Sequence, residues 1–426
     1  MDKIASIEKL QQGLSAIGIT DDYTQVQDLI TELHFAYEEF RFKQDLPTVA
    51  DQGILWNVAY YLITALSYSG RQARLPSSVI EDGLAISGLV FELLGRYAAA
   101  RQDGDASRVC NLNASIAYTL SRYQANSSVL AKLQFNEDLL PSDPDHFIAH
   151  CDELGMNLVF GLLGRQFFWL SQNKSSFLSA IQGIGPEHII FEEASFWAYM
   201  CQAGGRFADF MISGEELAIA ECYENIHRAR DLALNHEMLT EHWLASRLLN
   251  CVGRMEQRSS WRVLQRQHFS PEYISILTRF PWNSVHELWD SQIEALEGVD
   301  LQDGNKGNIL SDNIKRALVT MPTSAGKTLI AEMLIVRALE RYPDAKCIYV
   351  APSRALVDEV ESKLHYRLRF LGYKVASVVG SFEISEFEEA YLAKINVAIL
   401  TPEKLDYLFR KRDPFVSNVS LIIFDE

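Results

Sequence analysis

The stretch MPTSAGKTLIAE, residues 321–332, decides the fold of the carboxyl-terminal part of the chain. It lies between a strand-like apolar run, residues 317–320, and a helix-like run, residues 328–341. A glycine followed by lysine and threonine, at the junction of a strand and a helix, is typical of a loop that binds the phosphates of a nucleotide. The stretch therefore predicts an α/β fold built around such a loop.

Strand-like and helix-like runs alternate along the sequence around this loop. The remaining predicted strands are 347–351, 375–379, 397–401 and 421–425, and the remaining predicted helices are 355–370, 383–393 and 403–410. This alternation predicts a parallel, doubly wound sheet around the phosphate-binding loop. Ligands of such sheets bind at the carboxyl ends of the strands, so we expect functional residues directly after each strand.

The first 280 residues have a helical pattern instead. Apolar residues recur at intervals of three and four in stretches such as 26–40, 55–68, 79–97, 147–169 and 188–200. Two similar segments, beginning at Ala59 and Ser115, suggest a repeat-like array, but their offset does not recur and no regular solenoid is predicted. We predict a multidomain protein, with an all-α region at 1–280 and the α/β domain at 281–426.

Composition and charge exclude several classes of protein. The chain has 426 residues, 48% of them hydrophobic and 22% charged, which is a globular composition. Residues 301–426 hold 17 basic and 17 acidic side chains, so the whole net charge of −17 comes from the first 300 residues. Because an acidic surface repels a polyanion, we do not expect the helical region to bind nucleic acid broadly.

Targeting and cysteine patterns point to the cytoplasm. No apolar run reaches the ~18 residues of a membrane span, and the start, MDKIASIEKL, has no secretory apolar core. The six cysteines include no CxxC pair, so neither a zinc site nor a disulfide framework is indicated. We predict a cytoplasmic protein with no membrane partner.

The loop residues have separable chemical roles. Gly326 permits close approach of the backbone to an anion, Lys327 neutralises the β- and γ-phosphates, and Thr328 offers a hydroxyl to Mg²⁺. The loop preceding them is predicted to wrap ATP with Thr323, Ser324 and Ala325. Met321 stands where the usual pattern has its first glycine.

Three further motifs follow predicted strands, namely APSRAL (351–356), TPEKL (401–405) and LIIFDE (421–426). A helix that begins after Pro402 presents free amides to a phosphate, Thr401 adds a hydroxyl, and Arg354 adds a charge-assisted bond. The two carboxylates that end LIIFDE are costly after a buried strand unless a metal or a partner compensates them.

Together and in this order, the motifs resemble those of superfamily 2 DExD/H-box nucleic-acid helicases, in particular the Ski-like DExH branch. The resemblance implies that Asp425, with Thr328, holds Mg²⁺ and that Glu426 orients the attacking water, with Lys327 as the third catalytic residue. It implies contacts to a single strand of DNA or RNA from five residues, namely Pro352, Ser353, Arg354, Thr401 and Pro402.

A weaker resemblance lies upstream, in FPWNSVHELWDSQIEAL (280–296). There Trp282, Trp289 and Gln292 are similar to the motif that contacts adenine in this family, with Gln292 bonding the base edge. The resemblance as a whole covers about 280–426, one third of the chain.

LIIFDE resembles the start of the family's Walker B motif, and the α/β domain resembles the family's first RecA-like domain. In the family, a second RecA-like domain with an arginine finger follows, whereas this sequence ends inside the Walker B motif. We therefore expect the amino-terminal portion of an ATP-dependent helicase or translocase, inactive alone, with a helical domain that binds a protein partner. The alternative is a nucleotide-switched signalling or scaffold ATPase with a helical interaction domain. APSRAL and TPEKL favour the helicase, because a plain switch needs neither.

Overall fold

The computed structural model describes residues 24–43, 52–67, 77–300, 306–311, 314–321, 326–342, 344–378, 392, 394–411 and 414–425. The chain divides into two compact units, Met1–Gln257 and Arg258–Glu426. None of the described helices has the combination of length and apolar character needed to cross a bilayer.

The described elements of the first unit are all helices, which confirms the predicted all-α region. They are α1 (Thr24–Lys43), α2 (Gln52–Leu66), α3 (Ser77–Ala100), α4 (Gly104–Leu120), α5 (Gln124–Gln134), α6 (Pro144–Ala149), α7 (Cys151–Leu163), α8 (Phe167–Gln182), α9 (Phe191–Ser213), α10 (Glu216–Asn235) and α11 (Leu239–Arg258). Consecutive helices pack on one another, with α3 on α4, α8 on α9 and α9 on α10.

Small residues let some of these helices approach closely. A Cβ at Gly88 on α3 would lie 2.6 Å from Cδ1 of Tyr118 on α4, so only glycine fits there. The Tyr118 hydroxyl donates a hydrogen bond of 2.7 Å to Glu92, one turn further along α3. The ring and the hydroxyl together fix how α4 lies on α3.

One predicted helix, 147–169, is broken in the structure into parts of α6, α7 and α8. Arg165 has a φ of 61°, in the left-handed region that an α-helix cannot continue through. The apolar spacing persists across the break because the successive helices bury the same kind of face, so the periodicity alone does not reveal it.

The second unit combines helices with strands. Its elements are α12 (Ser260–Arg266), α13 (Pro271–Thr278), α14 (Asp290–Glu297), β1 (Val299–Asp300), β2 (Lys306–Gly307), α15 (Lys327–Arg341), β3 (Lys346–Val350), α16 (Arg354–Leu368), β4 (Val375–Val378), β5 (Val397–Leu400), α17 (Pro402–Lys411), α18 (Pro414–Ser417) and β6 (Val419–Phe424). A 3₁₀ turn, Arg369–Leu371, extends α16.

The strands β4, β5, β3 and β6 form a parallel sheet in that order. Strand β3 is buried almost throughout and pairs with β5 on one side and β6 on the other. Ile348, Val350, Ala398 and Leu400 belong to the core that the sheet shares with α17. The predicted parallel α/β sheet is therefore confirmed, and its strand ends lie along one edge.

Two strand predictions need correction. Residues 317–320 form no strand, and Leu318 is 94% exposed, because a strand is stable only when it pairs and buries a face. Strand β6 is half-exposed rather than buried. In the described sheet it stands at the end of the strand order and pairs with β3 on one side, and Phe424 is 69% exposed. The predicted helix 383–393, except Leu392, lies outside the described residues.

The structural division falls before Arg258, whereas the sequence placed the domain boundary at residue 280. Helices α12 and α13 lie in the unit that contains the sheet. Within that unit, Ser270 before α13 bonds Glu340 on α15, and Tyr273 bonds Glu332. Domains in the sense of independently folding parts stay a prediction.

Candidate active site

Gly326 is the described end of the phosphate-binding loop. It has φ 81° and ψ 36° and immediately precedes Lys327, the first residue of α15. This left-handed conformation favours glycine, and a Cβ would lie only 2.3 Å from Nε2 of Gln292. The predicted site residues Thr323, Ser324 and Ala325 lie outside the described residues.

Gln292, for which the weaker resemblance predicted a contact to adenine, borders this loop. Its side chain is 5% exposed, and its Oε1 accepts a hydrogen bond of 2.9 Å from the backbone N–H of Trp289 at the start of α14. That bond orients the amide, so Nε2 lies against Gly326. The structure thus brings Gln292 to the loop, although 34 positions separate the two residues in the sequence.

Asp425 directly follows β6, at the carboxyl edge of the sheet. Its backbone N–H donates a hydrogen bond of 3.0 Å to the carbonyl of Val350 on β3. Its carboxylate Oδ2 accepts a hydrogen bond of 2.6 Å from the hydroxyl of Tyr349. The backbone and the carboxylate of Asp425 are therefore both positioned by β3.

Tyr349 is a site residue that the sequence analysis missed. It is 2% exposed, and burial, followed by the hydrogen bond to and the negative charge of Asp425, raises its pKa well above the usual range. The hydroxyl consequently stays protonated and acts as a donor. The only signal in the sequence is its position, because Tyr349 is next to last in β3, and the neighbouring strand β6 is followed directly by an acidic residue, Asp425.

The two motifs that are predicted to bind a single strand of nucleic acid, APSRAL and TPEKL, lie side by side. Pro352, Ser353 and Arg354 are exposed after β3, and Ser353 caps α16 by accepting a hydrogen bond of 3.3 Å from the N–H of Leu356. The N–H of Ala351 donates a hydrogen bond of 2.9 Å to the carbonyl of Leu400, which ties the two strand ends together.

Glu403 links these motifs electrostatically. Its pKa is lowered first by its own backbone N–H, then by the hydroxyl of Thr401, and also by the positive charge of Arg354. Thr401 and Arg354 therefore act on the same exposed carboxylate, beside Pro402, the first residue of α17. The arrangement gathers a cation, a hydroxyl and a helix start at one place.

A buried ion pair ties together the helices that follow the loop and the APSRAL motif. Glu332 on α15 is 2% exposed and accepts hydrogen bonds from Arg367 on α16 at 3.0 Å and from Tyr273 at 3.1 Å. Burial raises the pKa of Glu332, and the charge of Arg367 opposes that shift. The sequence analysis assigned no role to these residues, because nothing local marks them as a pair.

The donor set suits a magnesium nucleotide. The hydroxyl of Thr328 and the carboxylate of Asp425 are oxygen ligands, the kind that Mg²⁺ prefers, and Tyr349 bonds Oδ2 rather than Oδ1 of Asp425. Among the described residues, no cluster of three His, Cys, Asp or Glu side chains could hold a metal by itself. Glu426 lies outside the described residues.

Comparisons with known proteins agree with this arrangement. Residues 302–426 match the family model of the DEAD/DEAH box helicases. The chain is 33% identical over 189 residues to Hachiman protein HamB of Bacillus cereus, a match that covers 43% of this chain and 16% of HamB. It is 31% identical over 121 residues to the ATP-dependent DNA helicase Hel308 of Methanocaldococcus jannaschii, covering 28% of this chain and 10% of that helicase.

A second Hel308, from Pyrococcus horikoshii, is 33% identical over 142 residues, which is 33% of this chain and 18% of that protein. The chain thus spans less than a fifth of the length of each of these relatives. Residues 302–426, which match the family model, are the part of the chain in which the loop, APSRAL, TPEKL and Asp425 lie. Residues 302–426 of the chain therefore belong to a superfamily 2 helicase domain of the DEAD/DEAH-box type.

Proposed function

We propose that the second unit binds ATP with Mg²⁺ at residues 323–328 and a single strand of DNA or RNA at the APSRAL and TPEKL motifs, as part of an ATP-dependent helicase or translocase. The observation that carries the proposal is the placement of these groups. Asp425, Arg354 and Thr401 all follow strands that neighbour one another, so their side chains share one edge of the sheet.

The nucleotide half of the proposal assigns a task to each residue. Gly326 lets the backbone approach the phosphates, Lys327 neutralises their charge at the start of α15, and Gln292 bonds the adenine edge. Thr328 and Asp425 hold the metal ion, which stabilises charge on the phosphates. Glu426 orients the attacking water, and Tyr349 fixes the carboxylate of Asp425 by its hydrogen bond.

The proposed binding of nucleic acid rests on contacts to the phosphate backbone of the strand rather than on recognition of its bases. Arg354 supplies a charge-assisted bond, while the hydroxyls of Thr401 and Ser353 and the backbone N–H groups in the first turns of α16 and α17, which follow Pro352 and Pro402, supply neutral donors to phosphate oxygens. None of these groups reads a base edge. We therefore infer that binding depends on salt and is indifferent to sequence.

The test of the nucleotide site is Lys327→Ala in the 426-residue chain, with binding of a fluorescent ATP analogue and Mg²⁺ as the readout. We expect at least a tenfold loss of affinity with unchanged helical content, because the substitution removes a charge and little core volume. Lys363→Ala, which removes an exposed lysine from α16, is the matched control and should bind as the parent chain does. Equal affinities in all three proteins would refute the site.

We further infer that the chain alone hydrolyses ATP very slowly. In this family the transferring phosphoryl group is stabilised by an arginine from a second RecA-like domain, and a comparable arginine is worth ~10³ to 10⁵ in rate in GTPases. Strand-stimulated turnover by the isolated chain would contradict this inference. A nucleotide-switched scaffold is distinguished by binding ATP without any affinity for single strands.

A further inference from the structure

An exposed group of aromatic and arginine side chains lies at the far end of α16, away from the start of that helix at the APSRAL motif, and includes Phe280 and Trp282 of the upstream segment 280–296. We call it the aromatic–arginine surface, and its members are Arg279, Phe280, Trp282, Tyr366, Arg369 and Phe370. Trp282 is 72% exposed and Phe370 is 42% exposed. Helix α16 begins at Arg354, so the surface lies about 20 Å along the helix from that residue.

The rings form one continuous cluster. The ring of Phe280 stacks on Phe370 with centroids 5.3 Å apart and lies 5.6 Å from the ring of Trp282. Tyr366 lies 5.9 Å from both Phe280 and Phe370, with its ring edge-on to theirs. Such offset and edge-on contacts are favourable for aromatic rings, so the cluster holds its shape while one side of it faces solvent.

Two arginines lie over the rings. The guanidinium carbon of Arg279 is 4.7 Å from the centre of the Phe280 ring, and that of Arg369 is 4.9 Å from the centre of the Phe370 ring. A guanidinium group on an aromatic face keeps its charge and can still bond an anion through its edge. The surface therefore offers flat apolar rings and positive charge together.

Buried contacts hold this surface in place. Arg367, which pairs with Glu332, also donates hydrogen bonds of 3.0 Å to the carbonyl and 2.9 Å to the side-chain oxygen of Asn283. The residues directly before Asn283 and Arg367 also bond each other, because the indole N–H of Trp282 donates a hydrogen bond of 2.9 Å to the hydroxyl of Tyr366. The exposed Trp282 is thus fixed against α16.

The local charge is opposite to that of the chain. No Asp or Glu occurs between Tyr273 and His286, nor between Ser362 and Phe382, although the chain has 56 of them in 426 residues. The second of these segments carries Arg369 and Lys374, besides Lys363 and Arg367, which pair with Glu359 and Glu332. A positive, aromatic surface on an acidic chain is complementary to a polyanion that carries flat rings.

We propose that the aromatic–arginine surface stacks unpaired bases of a nucleic-acid strand and contacts the phosphates beside them. The choice of ligand rests on the proposed strand binding, to which this surface adds a second contact. Stacking on an aromatic side chain contributes ~1 to 3 kcal/mol per base without regard to sequence, and arginine adds cation–π and phosphate contacts. An acidic protein segment would match the charge but would leave the rings without flat partners.

The test measures anisotropy of labelled 20-nucleotide strands with the 426-residue chain, using oligo-dT, oligo-rU and an abasic 20-mer of equal charge. We expect the parent chain to prefer dT or rU over the abasic strand at least tenfold. Trp282→Ala with Phe370→Ala should abolish that preference, and Trp282→Phe should retain most of it. Tyr342→Ala, which removes another exposed aromatic ring from this unit, is the matched control and should leave the preference intact.

The charges are tested by Arg279→Gln with Arg369→Gln, which should lower the slope of log affinity against log salt concentration by about 1.4 for a single strand. A parent chain that binds the abasic strand and poly-glutamate as well as oligo-dT would overturn the proposal in favour of an acidic partner. Arg354→Ala with Thr401→Ala separates the two sites. If that variant keeps its affinity for the strand while Trp282→Ala with Phe370→Ala loses affinity, the proposed role of the motifs is wrong and the role of the surface is supported. If only Arg354→Ala with Thr401→Ala loses affinity, the proposal for the surface is overturned.

Discussion

At the scale of single residues, Tyr349 shows how the sheet positions Asp425, the carboxylate that is proposed to hold Mg²⁺. It lies on the central strand β3 and donates its hydroxyl hydrogen to Asp425 at the end of the neighbouring strand. The hydrogen bond is buried on the tyrosine side and charged on the aspartate side. Such bonds contribute more to stability than neutral ones do.

We therefore expect Tyr349→Phe to lower the free energy of unfolding of the second unit by about 2 kcal/mol, because the ring is kept and a bond to a charged group is lost. Urea denaturation followed by tryptophan fluorescence measures the change. Tyr342→Phe, at a position that is 52% exposed, should change it by less than about 0.5 kcal/mol. Equal stability of the two variants would show that the bond to Asp425 contributes nothing.

His286 predicts how stability depends on pH. Burial lowers its pKa from 6.5 to about 4, and a hydrogen bond with the backbone of Thr278 opposes the shift only partly. Between these two values the unfolded chain takes up a proton and the folded chain does not, so stability is full above pH 6.5 and falls as the pH falls towards 4. The loss by pH 5 should be about 2 kcal/mol.

His286→Gln removes this titration, so denaturation at pH 7 and pH 5 should show a smaller loss in the variant than in the parent chain. His227→Gln, at an exposed position on α10, is the control and should leave the loss unchanged. A loss that is identical in the parent chain and in His286→Gln would mean that other groups cause it.

At the scale of elements, α17 begins beside Arg354, the charge that the neighbouring APSRAL motif is proposed to offer to phosphate. Glu403, in its first turn, lies close enough to Arg354 for that positive charge to lower the pKa of Glu403. A phosphate that approaches Arg354 therefore also meets a carboxylate. Glu403→Gln should raise affinity for a single strand by about twofold, since water and salt screen the effect of an exposed charge.

Asp406→Asn removes an equal charge one turn further along α17, where Asp406 pairs with Arg410, and should change strand affinity less. Anisotropy with labelled oligo-dT at constant salt compares the two. A larger effect at Asp406 than at Glu403 would place the strand further along the helix than the motif suggests.

The elements themselves were predictable where periodicity and flanking residues agree. Strands β3, β4 and β5 and helices α15, α16 and α17 follow from apolar runs bounded by the motifs, because buried parallel strands are short and continuously apolar. The run 317–320 has the same apolar character, but a strand also needs a partner strand, and the sequence of four residues does not show whether one is available. The break at Arg165 depends on one dihedral angle and left no trace in the pattern.

The candidate site was predictable residue by residue only where a motif is continuous in the sequence. Gly326, Arg354, Thr401 and Asp425 were identified in this way. Tyr349 and the Glu332–Arg367 pair depend on which strand or helix lies next to which, a property of topology. Contacts between residues that are distant in sequence became visible only in the folded chain.

At the scale of the whole molecule, the two units differ in charge, and both expose some large apolar side chains, such as Ile189 (91%) in the first unit. The first unit is acidic and consists of helices that bury one another, with large rings such as Phe160 and Phe207 wholly enclosed. In the second unit, Leu318 is 94% exposed and Phe424 is 69% exposed at the end of β6. Exposed apolar groups beside a strand make a fold less stable and more prone to associate.

Limited proteolysis should therefore cleave the second unit before the first. We expect fragments that end near residue 257 to accumulate, and mass spectrometry of a time course identifies them. Adding the ATP analogue with Mg²⁺ should slow cleavage in the second unit alone, because ligand stabilises the unit that binds it. Cleavage that begins within the helices of the first unit would contradict this ranking.

The central claim, that the second unit is the ATP-binding domain of a helicase, is tested most directly by hydrogen–deuterium exchange of the 426-residue chain with and without Mg²⁺ and a non-hydrolysable ATP analogue. The account predicts slower exchange in peptides that contain residues 289–293, 322–332 and 424–426, and no change in α1 to α10. Protection that leaves 322–332 unchanged, or that appears mainly in the first unit, would contradict it.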